Sequence, residues 1–423
     1  MRNPVTVLIM AAALAACTPG EPMPPTPTPR PGTGLPAAEP RVRIGIVVDS
    51  STAQVGAATG FAIRVAGGDE IMRGAAGETW TFSADAQGFV SARGPAGVIR
   101  PRAASLRVIP DQPGGLTING RRYRGEAMII PRSGGRVSAL NIVELEEYLL
   151  GVVPREIGRL PASMIEATKA QAIAARTYAV GNLGGRETLG FDFHATVMDQ
   201  VYGGMADEDT IVNRAVRETA GEILTYNGSP ILAYYSSTCG GRTASIEDSW
   251  TNRQPLPYLR SVSDRIPGTE EYYCSTSNRF NWSTEWTRPQ LLAVLGETLR
   301  SHTRGVVQGV SRLDGVRIVD RNASGRATVE LSVDGRDYTL RGDSIRWVLR
   351  PQPGPAILNS SLLHDIETVR GPNGIESIEV HGGGWGHAIG MCQVGAMGRA
   401  RAGQSYSEIL RAYYTGVEVR RLY

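Results

Sequence analysis

Between Leu149 and Ala179 the chain reads LLGVVPREIGRLPASMIEATKAQAIAARTYA, and this stretch constrains the fold more than any other. Ahead of it, Val143–Val153 places Leu145, Tyr148, Leu149 and Val152 on one stripe at helical spacing. Pro154 and Gly158 bracket a predicted loop holding a single acidic residue, Glu156. Pro161 suits the first turn of a second helix running to about Leu183. Its alanines, Ala167, Ala170 and Ala174, permit close packing. Gln171 and Tyr178, seven residues apart, share a face. A carboxyl group set among Val152, Val153 and Ile157 can keep its proton near neutral pH, as a general acid must.

The segment before these helices is of another kind. From Arg41 to Val137, runs such as VRIGIVV, FAIRVAG, TWTFSA and EAMIIP are broken by Gly, Pro and Asp turns, which predicts short strands. After the helices, Asp209–Ala220 reads as a further helix. Ile223–Tyr235 reads as a hairpin around Tyr226-Asn227-Gly228. A short helix over Pro289–Thr298 and strands over Gly305–Leu340 follow, and Ser405–Glu408 is a capping box opening a last helix. The fold class expected is α+β, with a β-rich region 41–140 before a mixed region 141–423.

A net charge of +3 over 423 residues, with no basic tract, argues against nucleic acid as a partner. The N-terminus predicts export. Arg2 precedes an apolar run, Val5–Ala16, too short to span a bilayer. Leu14-Ala15-Ala16-Cys17 resembles a bacterial lipobox, so residues 1–17 are expected to be a lipoprotein signal and Cys17 the lipidated residue. Residues 18–40, rich in Pro, Gly and Thr, read as a disordered tether to the membrane. For an exported chain the remaining Cys239, Cys274 and Cys392 predict one disulfide and one thiol left over. Cys239 and Cys274 are the expected pair. The alternative is a zinc site using these cysteines with His381 or His387, which no CxxC or HxxxH spacing supports.

The Leu149–Ala179 segment resembles the core of the stage II sporulation protein D family (SpoIID/LytB-type). Four further stretches resemble it in order: DQVYGG (Asp199–Gly204), AVRETAGEILTYNGSPILAYYSSTCGGRT (Ala215–Thr243), LPYLRSVSD (Leu256–Asp264) and GGGWGHAIGMCQVGAMGRARAGQSYSEILRAYYTGVEV (Gly382–Val419). The resemblance implies a SpoIID-like catalytic region, 141–423, that cleaves peptidoglycan glycan strands as a lytic transglycosylase; no cofactor is expected. It makes Glu156 the expected catalytic acid and base; Asp199, beside Gln200, is the best candidate for a second acid. Glu166 and Glu218 read as solvated helix faces.

Glycan binding calls for amide, hydroxyl and aromatic groups. Gln171, Arg176, Tyr178, Gln200, Tyr202, Tyr235, Ser237, His387 and Gln393 supply them as candidate substrate-binding residues. Tyr178 reads equally well as core, and Arg176 as the partner of a neighbouring acid. Six glycines between Gly382 and Gly395 imply tight turns, and this segment is expected to form one wall of the cleft facing Glu156. Two other readings stay open. LytB-type relatives enhance cell-wall amidases, which implies an amidase partner and binding without cutting. A zinc amidase would need three clear ligands, and the scattered His and Cys residues argue against it.

Overall fold

The computed structural model describes residues 38–95, 97–372 and 374–423. Cys17 and tether residues 18–37 lie outside them. The described residues form two compact units, one of 38–232 with 419–423 and the other of 233–418. The architecture is α+β, with the strands concentrated at the N-terminal end.

The first unit opens with two sheets. One has seven strands in the order Phe193–His194, Arg41–Ser50, Arg136–Glu144, Glu126–Arg132, Leu106–Pro110, Phe61–Val65 and Glu70–Gly74. All neighbours run antiparallel except Phe193–His194, which pairs parallel to Arg41–Ser50. The other has six strands, ordered Arg121–Tyr123, Leu116–Ile118, Ala53–Ala57, Thr79–Ala84, Val90–Gly94 and Gly97–Ala103. Alternation along each strand turns Val42, Ile44, Val55, Phe61, Trp80, Phe82, Leu106 and Ile129 into the interior, where all are buried.

Three helices follow: α1 (Leu145–Glu156), α2 (Ile165–Asn182) and α3 (Thr210–Glu218). The predicted stripe Leu145, Tyr148, Leu149 and Val152 is buried as expected. Asp209 caps α3 by accepting the N–H groups of Ile211 and Val212. The hairpin Glu222–Tyr226/Ser229–Pro230 turns at Asn227 and Gly228 with φ of 51° and 80°, both left-handed, as an Asn-Gly turn requires. The chain's end returns to this unit. Strand Glu418–Arg421 lies beside Glu222–Tyr226, and Leu422 N–H donates to Gly221 O at 2.8 Å.

Arg176 was a candidate for substrate, and the structure gives it a different task. Its side chain is fully buried in α2. Nε and Nη2 donate to the two carboxylate oxygens of Glu146 on α1, 2.7 Å each. Nη1 donates to Glu222 O at 3.0 Å and Nη2 also to Val216 O at 3.3 Å. Glu146 further accepts Gly221 N–H at 3.1 Å and the Tyr423 hydroxyl at 2.6 Å. A guanidinium so enclosed has no surface left for a ligand. Glu166 and Glu218, expected on solvated faces, share Lys169 between them at 2.9 Å each.

In the second unit, strands Asn281–Thr287, Gly374–Gly383 and Leu363–Gly371 form one sheet and Leu313–Arg321, Ala327–Val333 and Arg336–Arg341 another. With helix Arg288–His302 they enclose a core containing Trp286, Leu291, Leu295, Val329, Leu331 and Val380. Two-residue strands Tyr235–Ser236 and Met391–Cys392 pair in parallel. Helices Gln393–Arg401 and Tyr406–Tyr413 follow, the latter opened by the expected capping box at Ser405 and Glu408.

Removing one member of a buried ion pair strands the other charge, at a cost of roughly 3–5 kcal/mol. Glu146→Gln should therefore lower stability to urea by about that amount at pH 7, and Glu146→Gln/Arg176→Met should recover much of it. Desolvation pushes the Glu146 carboxyl up, but the bonds from Arg176, Tyr423 and Gly221 outweigh it and hold it below its usual value. The wild-type advantage is thus complete above the unfolded carboxyl pKa of ~4.3 and is lost as pH falls through the lower folded value. Urea titrations of the three proteins from pH 3 to pH 7 test both the size and the sign.

Candidate functional site

Glu156 is the last residue of α1 rather than part of a free loop. Pro154 sits inside the final turn, and Ile157 N–H closes that turn on Val153 O at 3.1 Å. Pro154 is tolerated because Leu145–Val153 already commits the chain to a buried helix, whose packing overrides local propensity. Gly158, with φ of 85°, then turns the chain away.

The floor under Glu156 is the 199–204 loop. Gly151 has no side chain, and a Cβ there would fall 2.7 Å from the Tyr202 ring. Gly203 N–H donates to Gly151 O at 3.2 Å, locking loop to helix. This contact brings Val201 N–H to Glu156 Oε1 at 2.9 Å.

Glu156 is half-buried among Val152, Val153 and Ile157. Desolvation pushes its carboxyl up to about 7, partly opposed by the Val201 N–H bond. The helix C-terminus, where the backbone dipole is negative, acts in the same direction as desolvation. The neighbouring Arg155 does not neutralise it, because Arg155 Nε pairs with Asp207 Oδ2 at 2.6 Å.

The expected second acid fares differently. Arg186 Nε and Nη2 grip Asp199 at 2.9 and 2.8 Å, and His194 N–H adds a bond at 2.8 Å. Asp199 is a structural carboxylate, held in the interior by these three bonds. Asp207 and Glu208 pair with Arg155 and Arg124, and Asp209 caps α3. The acidic residues of 199–209 are thus all engaged elsewhere, which leaves Glu156 the group with a mobile proton.

The candidate binding residues of this unit are interior groups. Gln171 is fully buried in α2. Gln200 donates to Ala175 O at 3.3 Å and accepts the Tyr148 hydroxyl at 3.2 Å. Tyr202 donates to Asn141 Oδ1 at 2.9 Å and Tyr178 to Asp199 Oδ1 at 3.3 Å. Their rings join Tyr148, Phe193 and Tyr123 in one aromatic cluster, with Tyr148 and Tyr202 5.0 Å apart. They set the position of Glu156 from below. The sequence reading missed Val201, whose backbone donor leaves no trace in residue type.

In the second unit the structure gathers Tyr235, Ser237, His387 and Gln393 around the paired strands Tyr235–Ser236 and Met391–Cys392. Trp385 O accepts Thr238 N–H at 3.1 Å, and Thr238 O accepts Trp385 N–H at 2.7 Å. Gly384 has φ of 83°, and a Cβ there would lie 2.7 Å from Thr238 O. The tight turns expected of the glycine run thus bring the two backbones into close contact. His387 Nδ1 accepts Ile389 N–H at 3.0 Å, and its ring also bonds the Tyr235 backbone. Desolvation lowers His387 to about 4, so it is neutral at physiological pH and serves to shape the loop.

A family model described as stage II sporulation protein matches 133–226, which contains α1, α2 and the loop beneath Glu156. A second model, a domain of unknown function, matches 262–390. An uncharacterized protein of Brachyspira hyodysenteriae (strain ATCC 49526 / WA1) is 34% identical over 306 residues, 72% of this chain and 74% of that protein. Stage II sporulation protein D of Bacillus subtilis (strain 168) is 32% identical over 293 residues, 66% of this chain and 74% of its own length. The amidase enhancer of the same organism is 31% identical over 304 residues, 63% of this chain but only 39% of that longer protein. The chain belongs to the stage II sporulation protein D family.

A carboxyl raised to about 7 from an unfolded value of ~4.3 makes the folded state hold an extra proton between those values. Stability must then fall as pH rises through that window. Glu156→Gln removes the penalty. It should melt a few degrees above wild type at pH 8 and level with it at pH 4, read by calorimetry. Equal melting temperatures at pH 8 would show that the carboxyl is not desolvated.

Proposed function

We propose that this protein is a peptidoglycan lytic transglycosylase acting in cell-wall remodelling, division or sporulation. The observation that carries the reading is Glu156, a carboxyl raised to about 7 and held by the Val201 N–H. Family membership and the likeness to stage II sporulation protein D and to an amidase enhancer support the cell-wall setting.

Most glycosidases use two carboxylates, the second attacking the sugar or activating water. With Asp199 and Asp207 each tied to an arginine, one carboxyl must serve twice. Glu156 donates its proton to the glycosidic oxygen as the bond from the muramic acid anomeric carbon breaks. The 6-hydroxyl of the same muramic acid attacks that carbon and forms the 1,6-anhydro bond. The Glu156 carboxylate takes the hydroxyl proton and is restored as the acid. No water is consumed.

Glu156→Gln preserves shape but delivers no proton, and loss of general acid–base help costs ~100- to 10,000-fold. Release of 1,6-anhydro-muropeptides from purified glycan, followed by mass spectrometry, should drop by that order. Wild-type kcat/KM should decline above pH 7, approaching about tenfold per pH unit, because only protonated Glu156 is competent. Wild-type release of anhydro products by folded Glu156→Gln protein would sink the mechanism.

Similarity to the amidase enhancer supports a second reading, a glycan-binding partner of a cell-wall amidase that does not itself cut. In that case wild-type protein would yield no anhydro product yet would raise the rate of an added amidase.

Such a substrate requires export. We propose that Cys17 is lipidated and that residues 18–40 tether the enzyme to a membrane facing the cell wall. Among the described residues no helix is long and apolar enough to cross a membrane. Cys17→Ser should accumulate as unprocessed precursor or move to the soluble fraction, read by fractionation and intact-mass measurement. Unchanged processing and membrane retention would exclude the anchor.

A further inference from the structure

A second buried cluster, in the 233–418 unit, plays no part in the proton transfer. Cys239, Asp264, Cys274 and Cys392 come from four separate stretches of chain. Their sulfur and carboxylate oxygen atoms all lie within 4.8 Å of one another, and all four residues are buried. The three thiols are free. Cys239 Sγ stands 3.6 Å from Cys274 Sγ, against ~2.05 Å for a disulfide. It stands 3.9 Å from Asp264 Oδ2. A tetrahedral ion bound at ~2.3 Å by thiolates has edges of roughly 3.8 Å, so the spacing is that of a ligand set.

The surroundings are arranged to match. The Tyr413 hydroxyl donates to Asp264 Oδ1 at 2.7 Å and Arg399 to the same oxygen at 3.4 Å, leaving Oδ2 toward the sulfurs. Cys239 N–H and Gly395 N–H donate to Cys392 Sγ at 3.2 and 3.3 Å, the outer bonds that a bound thiolate accepts. A Cβ on Gly395 would fall 2.5 Å from Asp264 Oδ2. The histidines considered from sequence lie elsewhere. The His387 ring is engaged by Ile389 and Tyr235, and His381 lies near Glu367 and Glu379.

The geometry points to a closed zinc site formed by Cys239, Asp264, Cys274 and Cys392. All four positions come from protein, so the ion is structural, with no open place for water or substrate. On binding, the thiols and any protonated carboxyl release their protons to solvent, and nothing is oxidised or reduced. The ion would pin the Met391–Cys392 strand and the start of helix Gln393–Arg401 to the turns carrying Cys239, Asp264 and Cys274, which holds the glycine-rich loop in shape.

Full-length protein purified with zinc and dialysed should retain one zinc per chain by elemental mass spectrometry. Its three thiols should resist alkylation until a chelator and denaturant are added. Cobalt in place of zinc should give thiolate-to-cobalt charge transfer and the strong visible bands of a tetrahedral site. Cys392→Ser should lose the metal, while Asp264→Cys should keep it and intensify the charge-transfer band. If Cys392→Ser fails to fold, stoichiometry and the cobalt spectrum of wild type decide alone. A Cys239–Cys274 disulfide in non-reducing peptide maps, three readily alkylated thiols in zinc-equilibrated native protein, or copper or iron in place of zinc would overturn the assignment.

Discussion

The helical layer of the first unit is organised around a charge shut away from solvent. Arg176 is fully buried, and an unpaired guanidinium in that place would cost several kcal/mol. Its donors are met by Glu146 from α1, Val216 O from α3 and Glu222 O from the following strand. Glu146 in turn collects Gly221 N–H and the Tyr423 hydroxyl, which brings in the chain's last residue. Each of these elements must be in place before the pair is satisfied, so the pair fixes the position of α1 against its neighbours.

The site at the far end of α1 follows from that placement. With α1 held, Gly151 meets Tyr202, the 199–204 loop is seated, and Val201 N–H reaches Glu156. The surrounding arginines are matched to other acids, so none depresses the Glu156 carboxyl. A group kept protonated by burial is a standing cost to stability and a gain in proton-donating capacity, the usual trade where stability and activity meet.

In the second unit the constraint is space. Gly384 and Gly390 adopt positive φ, and side chains there would strike the backbone of Thr238 and Tyr234. That closeness lets two very short strands pair in parallel, and it leaves His387 a desolvated, neutral ring that organises its loop. The same compaction draws Cys392 beside Cys239 and Cys274.

Much was legible from residue order alone. The helical stripe of α1, the capping box at Ser405, the Asn-Gly hairpin and the β-rich start depend on local periodicity and turn chemistry, and they stand where the sequence places them. Glu156 was legible as the one acidic residue in an apolar run, although its loop proved to be a helix end because tertiary burial of Leu145–Val153 outweighs Pro154. What residue type could not convey was partnership. Gln171, Arg176, Tyr178, Gln200 and Tyr202 carry groups suited to a sugar, yet the fold turns them inward. Asp199 could be an acid or an anchor, and Arg186 decides. Cys239, Cys274 and Cys392 suggested a pair and a remainder. Only the folded chain sets Asp264 and Cys392 beside Cys239 and Cys274, because Cys392 lies more than a hundred positions from the other three and nothing in local sequence encodes that contact.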